Sequence, residues 1–343
     1  MAILPVAGVA LLFRELMAGN ADLVLGSLAL LSTLVYASGA LIFAAHSFGR
    51  EEVLFGEGSG SSPGGIGATL FRGLRTDEPL KDRPGLRTTL VFVALVGVLY
   101  FYLGVRLQVA MGEGGLLVSE LALLLLPSLL LLWLGGFDVR SSLSLRAPSG
   151  RGWLAALLLI AGGTPLVWFL TWVQSFVLPL PWEFLEGMSD FLAAETTARV
   201  LWLLALVAVT PAICEEVLFR GVLLAGTRGR FPLTGVIILN GLIFGVFHVP
   251  AATVYRFLPS AVLGMLLAWA VSRTRSIWTG MLMHFLNNGS IVILASSPFI
   301  LERFSDPDRA PPFFLLLPAL LLFLGGAVLL EREGRGVGSV EDV

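Results

Sequence analysis

The sequence predicts an all-α fold, a polytopic transmembrane helical bundle of about nine spans with eight of them in one core. Three observations carry that prediction. Hydrophobic residues make up 56% of the 343 positions and charged residues only 13%, mean hydropathy is +0.89, and apolar runs of about 17 to 25 residues, the length that crosses a bilayer as helix, recur along the chain. A water-soluble fold needs about a quarter of its residues charged to coat its surface, so soluble globular classes are excluded. A formal charge of -2 offers no basic field for phosphate, which excludes nucleic acid as a partner and leaves the lipid bilayer as the required one. A single cysteine, Cys214, cannot close an internal disulfide, so stability has to come from helix packing. Every basic residue except Lys81 is an arginine, a bias that points to a prokaryotic cytoplasmic membrane.

In chain order, residues 1–47 read as an interfacial helix carrying Arg14 and Glu15, followed by a lone span at 22–47. The first segment lacks the basic start and small-residue cleavage site of a signal peptide. Residues 48–87, with GEGSGSSPGGIG and then LRTDEPLKDRPG, read as a flexible cytoplasmic linker. The bundle occupies 88–330, with spans at 88–105, 115–137, 153–178, 200–225, 232–249, 257–272, 277–298 and 312–330, and a charged cytoplasmic tail fills 331–343. The connection 179–199 mixes Glu183, Glu186, Asp190 and Glu195 with Trp182, Phe184, Leu185, Met188, Phe191 and Leu192, the pattern of a helix lying on the outer interface. Alternate connections carry fifteen basic residues against six, which puts the N-terminus outside and the C-terminus inside.

An ionisable side chain at bilayer depth costs about 2.5–3.5 kcal/mol, so each one needs a reason. In PAICEEVLFRG, Pro211 to Gly221, Glu216 and Arg220 stand four apart in the favoured order for a helical ion pair. Glu215 points about 100° away, so Arg220 cannot serve both carboxylates and one is left over. Phe244 and His248 share a face before Pro250, and His284 and Asn288 share another, with Asn287 off to the side. Counted from the cytoplasmic ends at about 1.5 Å per residue, Glu215 lies about 15 Å deep, His284 about 11 Å, Asn288 about 17 Å and His248 about 24 Å. His248 is the outlier of a site that tilt and a kink at Pro211 would bring together. A carboxylate among apolar helices suits a general base that activates water, an imidazole can share the proton, and an imidazole with a carboxamide can donate to an oxyanion. Such a set hydrolyses an amide without a serine or cysteine nucleophile, and GxSxG is absent. Cys214 reads as a small buried residue, Asn240 and Asn287 as cross-helix hydrogen-bonders, and His46 as interfacial.

EExxxR at Glu215, Glu216 and Arg220, FxxxH at Phe244 and His248, and HxxxN at His284 and Asn288 resemble the three ordered motifs of the CPBP family of intramembrane proteases, which includes the Rce1-type CAAX proteases and the Abi proteins. The likeness covers residues 88 to 300, including FDVRSSLSLRAPS, which is similar to the loop before the family's core. It implies Glu215 and His248 as the pair that activates water, His284 and Asn288 as stabilisers of the tetrahedral intermediate, and Glu216 and Arg220 as residues that order the site. The expected partner is a membrane-associated protein or peptide substrate. Metal-free glutamate chemistry is favoured; the alternative is zinc held by Glu215, His248 and His284, although no HExxH is present. Residues from Pro5 through REEVLFG at 50–56 resemble the end of an ABC-2 type exporter permease, which implies a truncated or split relative of a permease–protease fusion. That likeness keeps a competing class open, a non-catalytic immunity factor or accessory subunit docking on ABC transporter components.

Overall fold

Backbone N–H and C=O groups find no partners in lipid, so a chain this apolar has to satisfy them within each segment, and the helix is the element that does so. The computed structural model describes residues 82–178, 187–188, 190–194, 196–249, 254–296 and 311–336, which fall in one compact unit. Eight apolar helices order them: α1 Leu86–Met111, α2 Glu113–Leu134, α3 Gly150–Ser175, α4 Thr197–Thr227, α5 Leu233–Phe247, α6 Val254–Thr274, α7 Ile277–Ala295 and α8 Phe313–Arg335. Seven are long and apolar enough to cross a membrane; α5, where a span is expected over 232–249, is the shorter one. The lone span at 22–47, the linker up to residue 81, His46 and the permease-like segment lie outside the described residues.

Two expected boundaries move. Residues 106–111 continue α1 as helix, and only Gly112, at φ 57°, separates it from α2. A left-handed glycine reverses the chain there without the steric cost that a Cβ would bring. At the other end α8 runs past residue 330, so Glu331 and Glu333 belong to the bundle: Glu331 pairs with Arg273 at 2.8 Å, and Ser149 Oγ donates to Glu333 Oε2 at 2.8 Å. Ser149 also caps α3 by accepting from Gly152 N–H, so one hydroxyl ties the start of α3 to the end of α8.

Helices come together where side chains are smallest, as expected when lipid removes the hydrophobic drive for association. Along α3 and α8, a Cβ at Gly162 would overlap the Ala319 carbonyl oxygen, and one at Gly326 would lie 2.7 Å from Leu159 N. Gly241 and Gly245 on α5 do the same for α6, where a Cβ at Gly245 would sit 2.8 Å from Phe257 O. Near the partly described 179–199 connection, Met188, Phe191 and Leu192 pack with Leu203 of α4 and Val292 of α7. Gly162→Val should therefore wedge α3 from α8 and lower stability by about 1–3 kcal/mol. Thermal unfolding in detergent reads this out, and an unchanged midpoint would mean the helices have slack at that level.

Candidate active site

The middle of α4 carries the chemistry, and its local structure follows from Pro211. Proline has no N–H for the carbonyl four residues back, which is that of Val207. Two wide π-helical segments, Leu204–Val209 and Val217–Leu223, flank the turn Thr210–Glu216 that holds both glutamates. The Val207 carbonyl accepts instead from Asn288 Nδ2 of α7 at 3.0 Å. A gap in the ladder of α4 thus becomes a cross-helix contact.

Glu216 and Arg220 are completely buried and pair at 2.9 Å. The second arm of Arg220 donates to Gly264 O of α6 at 2.9 Å, and His284 Nδ1 of α7 meets the same Glu216 Oε1 at 2.9 Å. Position 280 on α7 has to be glycine, because a Cβ there would lie 2.6 Å from Glu216 Oε2. Phe244 lies under this centre: its ring is 4.5 Å from the Arg220 guanidinium and 4.5 Å from the His248 ring. Both terminal nitrogens of Arg220 are therefore engaged, on Glu216 and Gly264, and Glu215 is the carboxylate left over.

Glu215 is buried, and its Oε2 has no hydrogen-bond partner among the described residues. That oxygen stands 3.9 Å from His248 Nε2 and 3.9 Å from His284 Nε2. Such separations are too long for a direct hydrogen bond and suit one bridging water. The far nitrogens fix the tautomers. His248 Nδ1 lies 2.8 Å from Phe244 O, a carbonyl that only accepts, so Nδ1 carries the proton. His284 Nδ1 meets Glu216 Oε1, the oxygen that already accepts from Arg220, and donates to it as well. Both Nε2 atoms therefore turn toward Glu215 as acceptors whenever their rings are neutral.

His248, the outlier by depth, is at the site after all. Counting from the observed helix ends, Thr227 and Leu233, puts Glu215 about 18 Å deep and His248 about 22 Å, within reach of two long side chains. Asn288 is held by donating to Val207 O and accepting from Asn287 Nδ2 at 3.1 Å. Asn287 also accepts from Thr164 of α3, and Asn240 donates to Thr227 Oγ1, both cross-helix bonds of the expected kind. Cys214 is buried among Leu218, Phe219 and Phe247.

The two imidazole nitrogens and the Glu215 oxygen have the chemistry of a zinc donor set, but not its spacing. Bonds of about 2.0–2.1 Å put tetrahedral ligands about 3.3 Å apart, closer than the 3.9 Å seen here. Among the described residues no group of three His, Cys, Asp or Glu stands ready to hold a metal ion.

Glu120 escapes the motif reading. It is 1% exposed in α2, accepts from Tyr100 O–H at 3.4 Å, and leaves Oε2 without a partner. Its segment Ser119–Leu125 packs on the Glu215 turn, close enough for the two carboxyls to act on each other electrostatically. An acid inside the run 115–137 was the available signal. It has no basic residue four away and no motif around it.

The family model for type II CAAX prenyl endopeptidases, Rce1-like, matches residues 197–290, from the first residue of α4 to two residues past Asn288. That match contains all three motifs and supports the CPBP/CAAX protease family. No curated protein and no solved structure matches the chain.

Arg220→Met would leave Glu216 buried without its counter-charge and should destabilise the protein by about 3–5 kcal/mol. Pairing it with Glu216→Gln should recover much of that loss in thermal unfolding. Equal losses in the single and double variants would remove the ion pair as the organising contact.

Proposed function

We propose that the protein is an intramembrane endopeptidase that hydrolyses a peptide bond of a membrane-associated protein or peptide. The family match supports a CAAX-type intramembrane protease; the assignment of steps to residues is carried by one observation, the unpartnered Glu215 oxygen facing two imidazole nitrogens across a water-sized gap. Water held there gives a proton to Glu215 as its oxygen attacks the carbonyl carbon, with His248 Nε2 orienting the second hydrogen. The proton then passes to the leaving amide nitrogen as the C–N bond breaks.

Charge that develops on the carbonyl oxygen needs donors on the opposite flank. Asn288 Nδ2 uses one hydrogen on Val207 and keeps a second. His284, its Nδ1 held by Glu216, lines the same gap through Nε2 and completes the set that stabilises the tetrahedral intermediate. Glu216, Arg220 and Phe244 hold these groups in register and touch no substrate. No metal enters the scheme. The reading places the chain in a prokaryotic cytoplasmic membrane with the N-terminus outside and the C-terminus inside, on its arginine content and loop charges.

Glu215→Gln keeps the shape and removes the base, so cleavage should fall by about 10²–10⁴ with the unfolding midpoint unchanged. Comparing the proteomes of membranes carrying the active and Glu215→Gln proteins identifies the substrate, and purified variant that still turns over would overturn the mechanism. Protein stripped by a chelator should keep its full rate. A loss that added zinc restores would move the chemistry to a metal.

A further inference from the structure

The end of the bundle that the loop charges assign to the cytoplasm holds a second polar centre, unconnected to the motifs. Two arginines from separate connections hydrogen-bond the turn 138–146, and a third connection meets its backbone. Arg83, just before α1, donates to Ser141 Oγ at 2.8 Å, and Arg228, just after α4, donates to Ser144 Oγ at 3.5 Å. Arg275 lies between α6 and α7, where Ile277 N–H donates to Ser144 O at 3.1 Å. Burial, and then the charges of Arg83 and Arg275, push Arg228 down to about 10, so it is still a cation at neutral pH.

Topology alone accounts for basic residues at this end, since a solvated arginine in each loop sets orientation. It does not account for their convergence. Asp82 and Asp138 are the acids of these segments among the described residues; both are exposed, and neither forms an ion pair with Arg83 or Arg228 there. Ser144 and Arg275 are the two non-glycine residues with positive φ among those described, each at 51°. Strain of about 1–3 kcal/mol persists only where the surroundings impose it. The Ser142 and Ser276 hydroxyls beside them are buried with no partner, as at a site that lacks its bound group.

We propose that Arg83 and Arg228 with Ser141 and Ser144 form a binding site for a phosphate group. Guanidinium forks and hydroxyls are the donors that a tetrahedral oxyanion takes, and mutual repulsion of Arg83 and Arg228 is relieved when one enters. The group is the headgroup of an anionic phospholipid or a free phosphate.

The test uses the full chain, with dioleoyl-phosphatidylglycerol titrated into phosphatidylcholine nanodiscs in one arm and inorganic phosphate added at constant ionic strength in the other. Thermal unfolding reports binding in both. Stabilisation by phosphatidylglycerol should have its midpoint about tenfold weaker in Arg228→Gln and in Arg83→Gln. The same dependence in the phosphate arm alone identifies free phosphate as the source. Ser141→Ala, which leaves every charge in place, should weaken binding by a smaller factor and keeps the test decisive if an arginine variant fails to fold. Glu215→Gln should bind as the parent does, which separates this site from the proposed peptidase. Equal stabilisation of the parent and all three binding variants, or none by either ligand, overturns the proposal.

Discussion

The fold turns on a buried ion pair. Arg220 and Glu216 lie at zero exposure in the middle of an apolar bundle, where either charge alone would be severely destabilising. Their presence is tolerable because the two charges meet each other and each also has a second partner: Arg220 reaches α6 through Gly264 O, and Glu216 reaches α7 through His284. Three helices are thus locked at one level by contacts that are directional, which apolar packing in lipid is not. The glycine at 280 follows from this, since the carboxylate has to fit against α7, whereas Gly264, whose carbonyl meets the guanidinium, is kept small by Phe244 and Gly241 of α5.

Adjacent glutamates then acquire opposite fates from the helical repeat alone. Successive side chains diverge by about 100°, so when Glu216 faces α6 and α7, Glu215 faces the gap beside His248. The pair that stabilises the site and the carboxylate that is free to react are consecutive residues on one turn. Phe244 extends the same order to α5. Its ring contacts both Arg220 and His248, and its own carbonyl fixes the His248 tautomer. Position, orientation and proton placement of His248 all descend from the ion pair.

Much of this was legible in the sequence wherever the rule was local. The Glu216–Arg220 spacing, the leftover Glu215 and the shared faces of Phe244 with His248 follow from helical periodicity, and seven of the spans follow from hydropathy. What stayed hidden depends on tertiary neighbours. Arginines at 83, 228 and 275 look like ordinary loop charges until three connections meet on one serine turn. Glu120 has no partner in its own helix, and its relation to Glu215 exists only because α2 packs on α4. The Asn288 bond to Val207 required knowing which helix faces the carbonyl that Pro211 releases.

Counting protons at the gap tightens the chemical argument. Neutral His248 and His284 both commit their N–H to acceptors on the far side, Phe244 O and Glu216 Oε1. Three acceptor atoms therefore face the gap: two imidazole nitrogens and one carboxylate oxygen. Among the described groups, one water supplies two hydrogens for these three acceptors, a deficit of one donor that a further proton or a cation fills. A resting site that is one positive charge short is arranged to capture a proton, and capturing a proton from water is the first act of a general base. The same deficit is what a Lewis acid would fill, so the geometry that supports glutamate chemistry also defines the place where a metal would have to compete with it.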